Sequence, residues 1–319
     1  SQGFPNYDPP AELRRLVNTH LESGHNQYAP MPGLPELRKV LAGKHERSSG
    51  KILDVEDEIT ITSGATQAIY CAITTVVRPG DEVILIEPAY DSYRPVVELS
   101  GGKVVAYQLE YPDYGINWEA FAKLLTDRTR LIILNTPHNP TGTIWQKKDW
   151  EQLEQLLADT DIFVLSDEVY EQLVYDGQRH YSLLDFPTLF ERGFATYSFG
   201  KTFHSTGWKV GYCLAPAYLM KEFRKIHQFN VFSVNTPVQY ALADYLEDPA
   251  TYSGLSSFYQ QKRDFLLKKL EGLPLRPLPC AGTYFQLFDY REISNAPDLE
   301  FARWLTTEIG VAVIPVSAF

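Results

Sequence analysis

Read for apolar and polar positions, the middle of the chain is a succession of short apolar runs. They fall at Glu58–Thr62, Glu82–Ile86, Lys103–Leu109, Leu131–Leu134, Ile162–Leu165, Phe194–Phe199 and Val210–Leu214. Helix-length segments separate most of them, and strand, helix, strand in succession predicts a mainly parallel sheet covered by helices on both faces. One interval departs from this. Ten residues lie between Phe199 and Val210, fewer than the roughly twelve that a helical crossover takes, so the last strand is expected to run antiparallel. The expected fold class is α/β, a mainly parallel seven-stranded sheet with one antiparallel strand.

The flanks read differently. Residues 1–30 are rich in Pro, Gly, Asn and Tyr, with helical character only over Glu12–Leu21, and are expected to form an arm over a larger body. Leu34, Leu37, Val40 and Leu41 then fall at helical spacing. Past Leu214, residues 217–247 and 252–271 read as helical, Leu278–Leu287 as strand, Asp298–Ile309 as helix and Val311–Val316 as strand. This mixture predicts a second, smaller α+β unit: an arm at 1–30, a large domain at 31–250 and a small one at 251–319.

Composition narrows the classes. At 319 residues, 44% hydrophobic and 22% charged, the chain is an ordinary folded protein with room for a large core. A net charge of −11 without a basic block argues against nucleic acid as a partner. Cys71, Cys213 and Cys280 are scattered and lack metal-ligand spacing, so neither a disulfide framework nor a zinc site is expected, and a reducing cytoplasm fits. No apolar run approaches the roughly 18 residues of a membrane span, and Ser1-Gln2-Gly3-Phe4-Pro5 does not resemble a signal peptide.

A parallel sheet brings strand carboxyl ends to one edge, where open α/β folds place ligands. Lys201 follows Gly200 at the end of one apolar run, a position suited to a nucleophile. Lys209, Ser198 and Thr206 supply the charge and hydroxyls that hold a phosphate. Gly64, Ala65 and Thr66 follow the first strand, where a helix start either receives an anion or carries an ordinary serine cap at Ser63. Tyr90, past the second strand, can stack on a planar ring or pack in the core. Asn139 sits in Asn135-Thr136-Pro137-His138-Asn139-Pro140-Thr141-Gly142, where the prolines delay the next helix and the amide can face the sheet edge. Asp167, ending an apolar run, needs a cation, several donors or a helix to cap; a protonated pyridine nitrogen is such a cation. Tyr170 lies on the same side if a helical turn begins there. These features converge on a phosphorylated carbonyl cofactor.

The set SFGKTFHSTGWKVGY, NTPHNPTG, SDEVY, SGATQ and EPAY resembles the class I/II aminotransferases of fold type I, which use pyridoxal 5′-phosphate. SQGFPNYDPP, HNQYAPMPG, FNVFSVNTPVQ and PCAGTYFQL resemble the branch containing methionine aminotransferases and kynurenine/glutamine transaminases. The resemblance implies that Lys201 holds the cofactor as a Schiff base and, once released, moves the proton between the substrate α-carbon and C4′ of the cofactor. It implies that Asp167 pairs with the pyridinium nitrogen, that Asn139 and Tyr170 reach the phenolic oxygen, and that Tyr90 stacks on the ring. Gly64, Ala65, Thr66, Ser198 and Lys209 would bind the phosphate. In the homodimers of this family Tyr28 would reach the phosphate in the neighbouring subunit, and Gly3 would approach the carboxylate of an L-amino acid or 2-oxo acid; Asn139 and Tyr28 also belong to the expected substrate site. The family's carboxylate-binding arginine is expected downstream of Phe319. Two other readings stay open: a cysteine-conjugate β-lyase using the same residues, and a non-catalytic cofactor-binding sensor.

Overall fold

The computed structural model describes residues 3–319. Its centre is a seven-stranded sheet built from β1 (Ile59–Thr62), β2 (Glu82–Glu87), β3 (Lys103–Gln108), β4 (Thr129–Asn135), β5 (Phe163–Asp167), β6 (Gly193–Ser198) and β7 (Gly211–Leu214). The strand order is β1-β7-β6-β5-β4-β2-β3. Strand β7 is antiparallel to both neighbours, β1 and β6, while the remaining pairs are parallel. The short link before β7 reverses the chain as its length requires.

Alternation along each strand feeds two cores. Ile84, Ile132, Val164 and Tyr197 enter one face and Val83, Leu131, Leu165 and Phe194 the other, the period of two that a doubly covered sheet imposes. Helix Gly64–Val76, apolar on nearly every side, lies in the second core. Inside the expected arm, Ala11–Glu22 forms a helix that packs on Thr236–Leu246. The three cysteines are free, and among the described residues no helix is long and apolar enough to cross a membrane.

Two strand expectations in the C-terminal part are corrected. Leu278–Leu287 is not a strand; only Arg276–Pro277 and Phe288–Asp289 on either side of it form a two-residue antiparallel ladder. The segment between them is pulled onto the sheet body, where the N–H groups of Ala281 and Gly282 donate to the carbonyl of Gly142. Gly282 packs so closely that a Cβ there would lie 2.8 Å from the carbonyl oxygen of Leu173. Docking to a loop has overridden β propensity. Val311–Val316 likewise has no ladder partner among the described residues and ends in a turn of 3₁₀ helix at Val316–Ala318.

Candidate active site

The carboxyl ends of β1, β2, β4, β5 and β6 open onto one cavity of about 460 Å³. Its lining includes Gly3, Ala65, Thr66, Tyr90, Asn139, Asp167, Tyr170, Ser198, Lys201 and Lys209. Of the residues singled out by sequence, Gly64 is buried just behind this wall. Tyr28 lies elsewhere and is 83% exposed.

Strand register sets the floor. Asn135 pairs with Asp167, and Asp167 with Thr196, across neighbouring strand ends. Asn135 Nδ2 donates to the Asp167 carbonyl at 2.8 Å, while its Oδ1 accepts from the backbone N–H of Asn139 at 2.7 Å. One strand-end amide thus fixes both the acidic residue and the loop that carries Asn139. The Oδ1 of Asn139 is buried and has no partner in the protein. An orphaned polar atom at a cavity wall marks a position where a ligand is met.

Asp167 and Glu168 are consecutive carboxylates with opposite environments. Burial pushes Asp167 up to about 6, against the hydrogen bonds of the Tyr93 hydroxyl, at 2.6 Å, and the Val169 N–H. Glu168 points away into the core. There burial also raises its pKa, but the hydrogen bond and charge of His180 and the N–H of Leu183 outweigh it and hold the group below its usual range. Asp167 therefore lacks a counter-charge strong enough to offset desolvation, and a cation placed against it would supply one.

The opposite end of the cavity suits an anion. Helix Gly64–Val76 begins there, its first N–H groups unpaired within the helix. Gly64 has φ +74°, and a Cβ on it would lie 3.4 Å from Lys209 Nζ. Lys209 itself adopts the left-handed region, φ +54°. A strained residue placing a cation at the positive end of a helix is electrostatically unfavourable until an anion sits between them. Ser198 and Thr206 line the same end. Acid at one end, anion cradle at the other and an amine between them fit pyridoxal 5′-phosphate.

Lys201 Nζ, between these ends, donates to the Tyr284 hydroxyl at 2.9 Å. Tyr170 is buried, its hydroxyl kept neutral first by burial and then by the neighbouring Tyr284 oxygen. The Tyr90 hydroxyl lies 3.3 Å from Thr66 Oγ1, and its ring meets Tyr93 edge-on at 5.6 Å. Sequence reasoning assigned no role to Tyr93, Asn135 or Tyr284. The only sequence signal for Asn135 is its place just after an apolar run; Tyr93 and Tyr284 reach the site through tertiary contacts.

The family model for aminotransferase class I and II matches residues 1–319. The chain is 53% identical over 320 residues to a methionine aminotransferase of Escherichia coli, covering all of this chain and 83% of that protein. It is 37% identical to a kynurenine–oxoglutarate transaminase of Dictyostelium discoideum, covering 82% of it. A solved structure from E. coli, described as identifying a methionine aminotransferase function, superimposes with a TM-score of 0.98 over all of this chain and 84% of that one, at 53% identity. N-succinyldiaminopimelate aminotransferase from Mycobacterium tuberculosis gives 0.96 at 36% identity, over all of this chain and 84% of that one. The fold, the paired acid and lysine ends of the cavity and these matches agree: the chain belongs to the class I and II aminotransferases, pyridoxal 5′-phosphate enzymes that move an amino group between an amino acid and a 2-oxo acid.

Proposed function

We propose that this enzyme takes its amino group from L-methionine or an aromatic amino acid, with glutamine-like donors next, and passes it to a 2-oxo acid. The observation that carries the reading is the single cavity in which a buried Asp167, the Lys201 amine and Lys209 come together from separate strand ends. The donor preference is supported by 53% identity to a methionine aminotransferase along the whole chain and by Phe4, Phe285, Ile314 and Phe319 in the cavity wall, apolar surface suited to a thioether or a ring.

Each residue has a defined task. The bound cofactor supplies an electron sink for the charge left when the substrate α-proton departs. Asp167 would hold a proton on the pyridine nitrogen. Lys201 would anchor the cofactor and carry the proton between the substrate α-carbon and C4′. Asn139 and Tyr170 would donate to the phenolic oxygen, and Tyr90 would pack against the ring. Gly64, Ala65 and Thr66 at the helix start would hold the phosphate with Ser198 and Lys209. Gly3 would lie near the substrate carboxylate.

The test is a panel of donors against several 2-oxo acids. Methionine and aromatic donors are expected to exceed aspartate in kcat/KM by at least about tenfold, the worth of one well-filled apolar pocket. A panel in which aspartate leads, or in which no donor yields its oxo acid, refutes the assignment. Release of pyruvate from cysteine conjugates faster than transamination would favour the β-lyase reading instead.

A second copy of the chain completes the proposal. Tyr28 and Phe229 are 83% and 86% exposed, and Tyr28 meets the half-exposed Phe232 edge-on at 5.5 Å. Such an apolar patch on a folded surface fits a partner, and in a homodimer it would carry Tyr28 to the neighbouring phosphate. The chain would then divide near residue 250, with the smaller unit starting at helix Leu255–Leu270. Sedimentation at micromolar concentration is expected to give a dimer, and Phe229→Asp a monomer that loses cofactor on dialysis. A monomeric wild type sinks the shared-site proposal.

A further inference from the structure

The loop that carries Tyr28 is fixed from inside the protein. Tyr28 itself is exposed, yet the carbonyls of Gln27, Ala29 and Met31 around it accept from Thr236 Oγ1 at 2.6 Å, Ser233 Oγ at 3.0 Å and His227 Nε2 at 3.0 Å. Of these three donors only His227 is fully buried. Helix Ala217–Asn230 ends on its backbone carbonyl, which accepts from the N–H groups of Val231 and Phe232 at 3.0 and 2.9 Å. The second of these bonds holds Phe232 at φ +67°, with its ring edge-on to Tyr28. A bulky side chain stays in that region only where its surroundings keep it there. One histidine thus fixes both the Tyr28 backbone and the ring beside it.

Hydrogen-bond polarity fixes the proton on that histidine. The Ser63 N–H can only donate, and it donates to Gln67 Oε1 at 3.2 Å. This turns the Gln67 amide nitrogen toward His227 Nδ1, 3.0 Å away. Nδ1 must be unprotonated to accept, so the ring proton lies on Nε2, opposite a carbonyl that can only accept. Gln67 stands near the start of helix Gly64–Val76, beside the anion end of the cavity. The bond from His227 to Met31 is therefore set from the same helix start that forms the cradle.

We propose that His227 is a positioning residue that acts in trans, holding the Tyr28 loop where the neighbouring subunit's cofactor phosphate is met. This rests on the homodimer proposed above, in which Tyr28 reaches that phosphate, and adds what keeps Tyr28 in place.

The test uses hybrid dimers of the full chain, purified through two different affinity tags. One subunit carries Lys201→Ala, so that borohydride fixes the cofactor at Lys201 only in the other. Pyridoxal 5′-phosphate is titrated in, the mixture is reduced, and the label on the Lys201 peptide is counted by mass spectrometry. His227→Phe in the Lys201→Ala subunit loosens only the Tyr28 lent to the labelled site, and is expected to raise the half-saturating concentration about tenfold. His227→Leu is the second variant, with the same expectation. Either substitution placed in the labelled subunit is expected to leave the value within about twofold, the change being confined to the other site, because Gln67 keeps its bonds to Ser63 and, at 2.9 Å, to Cys71 Sγ. His227→Gln, whose amide offers a donor and an acceptor, is expected to restore the wild-type value within about threefold.

An unchanged value in trans overturns the proposal. Equal weakening in both placements also overturns it, since that is the mark of a residue the fold alone requires. Tyr28→Phe in the Lys201→Ala subunit separates this inference from the reading beneath it, and is expected to weaken the labelled site about tenfold. No effect of Tyr28→Phe refutes the shared site itself and the proposal with it. An effect of Tyr28→Phe without one of His227→Phe refutes the proposal and leaves the shared site standing.

Discussion

Replacing Lys201 with alanine is expected to lower kcat/KM by at least about 10⁴-fold, because in the proposed mechanism this one side chain would serve as both covalent anchor and proton carrier. No other amine can take over. Lys209 lies against the helix start behind Gly64, at the far end of the cavity from Asp167. Borohydride reduction of wild type should leave the cofactor's mass on the peptide containing Lys201, and the variant should show none. Lys209→Ala should keep that covalent label while binding the cofactor more weakly. A Lys201→Ala protein retaining even one percent of turnover, or carrying the label on another lysine, would refute the assignment.

Asp167→Asn is expected to stabilise the cofactor-free protein and weaken cofactor binding at once. Burial raises the Asp167 pKa from 3.8 to about 6. Below 3.8 the carboxyl is neutral in both the folded and unfolded chain, and burial carries no charge penalty. Between 3.8 and 6 the unfolded chain loses its proton first, so stability falls as pH rises; above 6 the loss is complete. Two units correspond to about 3 kcal/mol as an upper bound. The asparagine variant should therefore gain up to about 3 kcal/mol at pH 7, nothing near pH 4, and lose the pH dependence in between. Its affinity for the cofactor should fall about 10²-fold, the worth of a hydrogen bond between charged groups.

Tyr93→Phe moves stability the other way. It deprives the same carboxylate of its 2.6 Å donor and should cost about 1.5–3 kcal/mol at pH 7. Urea midpoints at pH 4 and pH 7 for the three cofactor-free proteins test the pair. Parallel pH profiles in wild type and Asp167→Asn would show that Asp167 is not the titrating group.

Much of this was legible in the chain because the chemistry sits on strand ends. The seven apolar runs locate the sheet, and the interval between Phe199 and Val210 is too short for anything except a reversal. Lys201, Asp167 and Asn139 each follow an apolar run, so their shared edge follows from topology alone. What stayed hidden depends on contacts between distant segments. Tyr284 lies in Leu278–Leu287, whose apolar content reads as strand, yet docking onto Gly142 and Leu173 replaces ladder pairing. The left-handed Thr283 that aims Tyr284 is invisible to propensity, since threonine favours extended backbone. Nothing in its local sequence marks Tyr93, and only the folded sheet brings its hydroxyl to Asp167. Asn135 follows the apolar run Leu131–Leu134, and its pairing with Asp167 emerges only from register.

The reversal before β7 also orders events during synthesis. Strand β1 is an edge strand whose one partner among the described residues is β7, and 151 residues lie between Thr62 and Leu214. At about 5–20 residues per second the ribosome takes on the order of 8 to 30 s to make that interval. Throughout it Ile59-Thr60-Ile61-Thr62 has no ladder to join, and the wall formed by β1, the start of helix Gly64–Val76 and the loop carrying Lys209 does not yet exist. The anion cradle is therefore completed only after the last strand of the sheet has been made.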